Sequence, residues 1–270
     1  MFLESNDHIN NVESYAKFAQ YYDEYVGNFT ADIPLYLNSV EEGAKILEVG
    51  CGTGRVLKPL LDAGCIVTGV DISPDMLDIA EKRLSNYIDQ GKLHILEYNL
   101  CNNDIPIELD VAFDSVFITF YTFNYIINDL EVERLMEHIY HLMQPGGVII
   151  IDLFYPMSFS KPELEDKWTE KTLLLNGHRV KLHDRRKVNG DIEVRVQRYI
   201  SEDMMDTNAV DDIDEIVSRR RVYTKSYIHK VHKDIGFKDI QFTDGYDTDG
   251  FHSLREDEKE SCSYVVKAYK

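Results

Sequence analysis

At 270 residues and 31.3 kDa, with 44% hydrophobic residues, the chain has the length for one large domain or one domain with an inserted lobe, and enough apolar side chains to fill its core. Its 29 Lys+Arg against 48 Asp+Glu leave a formal net charge of −19. Such a field repels phosphate backbones and anionic membrane surfaces; it keeps a protein solvated and favours cationic partners on approach.

At the N-terminus, MFLESNDHIN has neither a basic stretch nor an apolar run, so no signal peptide is expected. No apolar run approaches the roughly 18–20 residues that cross a bilayer. Cys51, Cys65, Cys101 and Cys262 show no CxxC pairing, which fits free thiols in a reducing, cytoplasmic setting.

From residue 45 onward, short β-rich runs alternate with helical patterns. Strands are predicted at Lys45–Val49, Cys65–Val70, Leu93–Tyr98, Phe113–Thr119 and Gly147–Leu153. Helices are predicted over Ser73–Ile88, after a Ser-Pro start, and over Leu130–Met143, ended by Pro145-Gly146-Gly147. Pro59 falls inside the helix expected after the first strand and predicts a kink there. This alternation implies a doubly wound, mostly parallel Rossmann-like α/β sheet.

Past Tyr155 the pattern changes. The runs HRVKLHD and IEVRVQRYI flank Val188-Asn189-Gly190-Asp191, a hairpin signal. SEDMMDTNAVDDIDE has no basic residue and reads as a mobile loop. Arg219–Tyr223 reads as another strand, in which Arg219-Arg220-Arg221 forms a paired edge. Thr224 is placed to cap a helix that ends at Gly236, and strands near Phe237–Thr243 and Cys262–Tyr269 close the chain. A small antiparallel lobe over 156–222 is therefore inserted into a domain made of 41–155 and 223–270.

The chemistry concentrates in KILEVGCGTGR, residues 45–55. Gly50, Gly52 and Gly54 follow the first strand, where bare backbone permits positive φ and close approach of a ligand. The dinucleotide loop GxGxxG needs its third glycine at the position held by Arg55, and Glu48 would repel a pyrophosphate. An acid there suits a ligand with an ammonium end. Asp71, closing the second strand, is placed to accept both hydroxyls of a ribose, or to cap the helix after Ser73-Pro74. Ribose plus a charged amino acid tail describes S-adenosylmethionine.

The stretches LEVGCGTGRVLKPLLDAG, VTGVDISPDMLDIAEKRL and LMQPGGVIIIDLF resemble the class I S-adenosylmethionine-dependent methyltransferases over residues 45–153. Within that class the chain is similar to the small-molecule branch, including amino-sugar N,N-dimethyltransferases and glycine-type N-methyltransferases. The branch carries a YxxxAxxYD element in an N-terminal helical lid, here Tyr15 to Asp23 within residues 1–40. The resemblance implies that Glu48 and the loop Gly50, Cys51, Gly52 and Gly54 hold the methionine end. It further implies Asp71 at the ribose, Ile72 and Met76 around the adenine, and Asn99 with Leu100 at its amino group. Thr119 and Phe120 would lie beside the sulfur. Tyr15 and Tyr22 would close over the cofactor, although packing of an amphipathic helix explains these tyrosines equally well.

FYTFNYI, after the fourth strand, offers Tyr121, Thr122, Asn124 and Tyr125 to the acceptor, and Tyr22, Tyr121, Asn124 and Tyr125 are the catalytic candidates. That segment has no histidine, unlike some amino-sugar enzymes. His178 and His183 read as exposed hairpin residues; with His229 and His232 on the late helix they make no convincing metal set, so none is expected. No Asn/Asp-Pro-Pro-Tyr/Phe element and no Pro-Cys pair follows the fourth strand, which argues against nucleic-acid methylation. The expected activity is in-line methyl transfer from S-adenosylmethionine, leaving S-adenosylhomocysteine, to a small amine-bearing or cationic molecule. O-methylation, a peptide natural product with a free amino terminus, and a non-catalytic S-adenosylmethionine sensor are the alternatives. The chain is expected to act as a monomer or homodimer.

Overall fold

The computed structural model describes residues 18–27, 29–102, 104–109, 112–155, 166–201, 215–254 and 262–270. Tyr15 and most of the acidic stretch, residues 202–214, lie outside them. A helix through residues 18–26 (α1) and a short one at Ile33–Leu37 (α2) precede the first strand. There follow β1 (Lys45–Val49), α3 (Leu57–Asp62), β2 (Ile66–Asp71), α4 (Pro74–Asp89), β3 (Leu93–Glu97), β4 (Phe113–Ile118), α5 (Asp129–Leu142) and β5 (Met143–Phe154). Then come β6 (Trp168–Leu175), β7 (His178–Asn189), β8 (Ile192–Ser201) and β9 (Ile216–Arg221). Last are α6 (Lys225–Ile235), β10 (Lys238–Asp244), β11 (His252–Ser253) and β12 (Ser263–Tyr269).

Eight strands form the main sheet in the order β11-β10-β12-β5-β4-β1-β2-β3, with β1 to β5 mutually parallel and β12 antiparallel to β5. Both faces are covered, as a parallel sheet requires. On one face Val116, Ile149 and Ile151 pack with Met136 of α5 and Ile228 of α6. On the other, Ile46, Phe117 and Ile150 pack with Leu57 of α3 and Leu77 of α4. Chain order reverses between β1 and β4, so their carboxyl ends flank the crevice where a doubly wound sheet binds its ligand.

The second sheet, β6-β7-β8-β9, is an antiparallel meander. Its hairpin closes on the Asn189–Ile192 pair, so Gly190 (φ +63°) and Asp191 form the turn and Asn189 remains in the strand. Phe18 and Tyr21 of α1 pack on this sheet against Leu182, Tyr199 and Ile216, setting the N-terminal helix between the lobe and the glycine turn. The main domain thus has a Rossmann-like mostly parallel sheet, with a helical N-terminal cover and an inserted antiparallel lobe.

Two local expectations are corrected. Pro59 produces no kink, because α3 begins only at Leu57 and places the proline in the first turn, where a missing N–H costs little. Pro145-Gly146-Gly147 does not separate α5 from β5. The strand starts at Met143, pairs with Phe113, and bulges before pairing Val148 with Ser115.

Candidate active site

β1 ends in a buried carboxylate under a bare turn. Gly50, Gly52 and Gly54 all have positive φ (+75°, +53° and +83°). They meet different surroundings. A Cβ on Gly50 would lie 2.4 Å from Thr122 Cγ2, and one on Gly54 would lie 2.9 Å from Leu84. At Gly52 a Cβ would meet nothing within 4 Å, so this glycine faces open space. Cys51 is buried beneath the turn against Gly69.

Glu48 is 1% exposed; Thr119 Oγ1 donates to its Oε1 (2.9 Å), while Oε2 has no hydrogen-bond partner among the described residues. Burial raises its pKa to about 8, against the Thr119 hydrogen bond and the Arg55 charge, which lower it. Asp71 receives the Gly52 N–H at 2.8 Å on Oδ2 and the Ser73 N–H at 3.0 Å on Oδ1. Both turns are tied to it, yet a carboxylate has about four lone-pair sites and can accept more.

Asp71 opens into a cavity of about 370 Å³ at the crevice. Gly50, Gly52, Ile72 and Met76 line the same end. Asn99 and Leu100 line it from the loop after β3, where Asn99 Oδ1 accepts the Cys101 N–H (2.9 Å). Arg134 of α5 donates to the Cys101 carbonyl (2.8 Å), anchoring that loop. Phe120, Tyr121, Thr122 and Tyr125 form the middle with Tyr22 from α1. The structure thus brings most of the expected residues to one cavity. Glu48, Cys51, Gly54 and Thr119 stand behind the wall, and Asn124 is elsewhere in role. Asn124 is 1% exposed and spends its amide on backbone: Nδ2 donates to the Phe154 carbonyl (3.0 Å) and the Arg221 carbonyl (2.7 Å), and Oδ1 accepts the Phe154 N–H (2.9 Å).

Several contacts beyond the expected cofactor set shape the site. Phe120 and Tyr121 both have positive φ (+51° and +66°), which costs on the order of 1–3 kcal/mol each. Asp152, buried on β5, accepts the Tyr121 N–H (3.1 Å) and the Tyr246 hydroxyl (2.8 Å), and so holds this strained corner. Burial raises Asp152 to about 6 despite those bonds. Asp23 on α1 accepts from Thr53 Oγ1 (2.7 Å) and from Arg83, clasping α1 over the glycine turn. Arg55 pairs with both oxygens of buried Asp32 (2.9 and 2.6 Å) and lies 4.8 Å from the Phe120 ring centre. These links join positions 23 to 94 residues apart, and no local pattern announces them. At the far end the lobe contributes Tyr25's neighbour Arg195, together with Arg186 and Arg220. Arg220 lies on β9, the paired edge strand of the lobe, as expected; its side chain is 7% exposed and lines the cavity.

The fit to S-adenosylmethionine rests on three features. A buried carboxylate oxygen without a partner among the described residues lies below the turn, open space lies above Gly52, and Asp71 faces the cavity. Together they supply an anionic seat, a backbone cradle and a hydroxyl acceptor.

A methyltransferase-domain family matches residues 47–149. The demethylmenaquinone methyltransferase of Tropheryma whipplei is 29% identical over 124 residues, 46% of this chain and 47% of that protein. The chain spans about half the length of the curated relatives it matches. Among solved structures, the CcbJ methyltransferase of Streptomyces caelestis superposes with a TM-score of 0.71 at 19% identity, covering 96% of this chain and 98% of that one. The sugar N-methyltransferase KedS8 of Streptoalloteichus gives 0.68 at 18% identity, covering 92% and 90%. Residues 47–149 thus match a methyltransferase domain, and the solved structures share the fold that surrounds it.

Proposed function

We propose that the protein transfers a methyl group from S-adenosylmethionine to an amine nitrogen of a small molecule. The observation that carries this reading is a single cavity running from the glycine turn and Asp71 to the aromatic and arginine face of the lobe. A cofactor end and an acceptor end in one enclosed space are what in-line transfer needs. The solved relative KedS8 is described as a sugar N-methyltransferase, which favours nitrogen.

In this reading Glu48 takes the ammonium of the methionine end, Asp71 the ribose hydroxyls, and Ile72 and Met76 the faces of the adenine. The cofactor supplies a methyl carbon on a cationic sulfur, a good leaving group. Tyr22 and Phe120, in edge contact with centroids 6.5 Å apart, exclude water around that carbon. Asp71 is the one acid among the described lining residues, and it lies away from the lobe. An ammonium at the acceptor end would face the sulfonium without a carboxylate in the wall, so burial and charge both favour the free amine. The chain then needs no strong base: it binds the nitrogen with its lone pair free and aligns it. Asn124 is assigned to holding the backbone rather than to the acceptor.

Methyl transfer from labelled S-adenosylmethionine to matched panels of amines and phenols tests this. Incorporation into amines, rising with pH as the amine deprotonates, is expected. Incorporation into phenols alone would remove the nitrogen assignment, and a retained dinucleotide in the mass spectrum of purified protein would remove the cofactor.

A further inference from the structure

The lobe sheet has two sides, and the one turned away from the cavity has an unusual makeup. Leu182, Tyr199 and Ile216 point inward and pack with Phe18 and Tyr21 of α1, so their neighbours along each strand point outward. Register arranges the outward residues in rows. Trp168, Arg185, Val196 and Val217 lie across from one another, as do Glu170, His183 and Arg198, and also Lys181 and Ile200.

Two properties concentrate on this side. Trp168, Leu174, Ile200 and Val217 are half of the eight exposed large apolar residues among those described. Arg179, Lys181, Arg185, Lys187, Arg198 and Arg219 point the same way. Glu170 pairs with Lys181 (3.4 Å), Asp166 with Arg185 and Lys187 (2.5 and 3.7 Å), and Glu215 with Arg198 (2.7 Å). The cations outnumber these carboxylates two to one, on a chain whose net charge is −19. A surface both apolar and cationic, on an otherwise acidic molecule, matches a partner that offers carboxylates between apolar side chains. A second copy turned face to face would bring like charges together. A nucleic acid would continue beyond the lobe over the acidic body.

We propose that the outer side of the lobe sheet is a docking surface for an acidic polypeptide. Its Lys and Arg side chains meet the carboxylates of the partner, and Trp168 and Ile200 cover apolar side chains between them. The surface lies across the sheet from the cavity, so docking is independent of cofactor binding and of which atom is methylated.

Trp168 is the single tryptophan of the chain, so its fluorescence reports on this surface alone. The test titrates the full chain, with and without S-adenosylhomocysteine, with a synthetic peptide of repeating Leu-Glu-Glu-Leu units. The same peptide with Gln in place of Glu, and oligo-dT, serve as comparisons. The acidic peptide is expected to protect Trp168 from acrylamide quenching, with an affinity that falls as salt rises and is the same with S-adenosylhomocysteine bound. The Gln peptide should give no protection. Arg179→Glu and Lys187→Glu, at exposed positions, should each lower the affinity about tenfold while circular dichroism shows the fold retained. Equal protection by the two peptides, no protection by either, or an affinity unchanged in both folded variants overturns the proposal. Stronger protection by oligo-dT gives the surface to nucleic acid, and shielding of Trp168 in a concentration-dependent dimer gives it to a second copy; either result overturns it. Competition between the peptide and S-adenosylhomocysteine places the peptide in the cavity and overturns it as well.

Discussion

Glu48 is held mostly protonated near neutrality by its own burial, with a pKa raised to about 8. An ammonium placed against Oε2 would ionise it, so cofactor binding at pH 7 should release close to one proton. Calorimetry in buffers of different ionisation enthalpy would show that release, and Glu48→Gln should abolish it. The sign for stability follows from the same shift. The folded state binds this proton more tightly than the unfolded chain, so the contribution is full below about pH 4.3 and is lost as pH rises toward about 8. Glu48→Gln should flatten that slope in the ligand-free protein. Asp71→Ala should weaken cofactor binding by about 2–3 kcal/mol, since charged hydrogen bonds are worth roughly 1.5–3 kcal/mol each; unchanged affinity by titration calorimetry would take Asp71 off the ribose. These two residues were legible because strand, acid, glycines and second acid are ordered along the chain. Arg220 was not: three arginines in a strand look the same whether the middle one faces water or a cavity.

At the level of elements, strand and helix periods marked most of the main sheet, because the period of burial is written locally in each segment. What they did not mark is the clasp between α1 and the glycine turn. It runs through Asp23 to Thr53 and Arg83, across 30 and 60 residues. The Asp23 and Arg83 side chains are 40% and 36% exposed, so the pair adds little to global stability, about 0.5 kcal/mol. Its effect is local. Asp23→Asn should speed amide hydrogen exchange through residues 18–26 while leaving the strands β1 and β4 protected. Equal protection of α1 in both proteins would mean that packing of Phe18 and Tyr21 on the lobe suffices without the clasp.

For the molecule as a whole, the net charge of −19 and the cationic end of the cavity oppose each other. The acidic exterior speaks for amines, as composition suggests, whereas the charged residues lining the lobe end of the cavity are arginines. The interior half was illegible in the sequence because two of its three arginines, Arg186 and Arg195, belong to neighbouring strands and converge only when the hairpin is formed. Asn124 joins the two sheets. Replacing it with Ala would leave two carbonyls and one N–H without their buried partner, and should cost about 3 kcal/mol in urea unfolding. A loss below about 1 kcal/mol would show that water takes over these bonds.

Those same three bonds bear on the length of the lobe. Phe154 is where the chain departs for the lobe, and Arg221 is where it comes back, so one amide pins both ends of the excursion side by side. A loop whose ends are already stapled together can lengthen, shorten or be exchanged at little entropic cost to its host. The lobe can thus change in length without loosening the sheet domain that carries it.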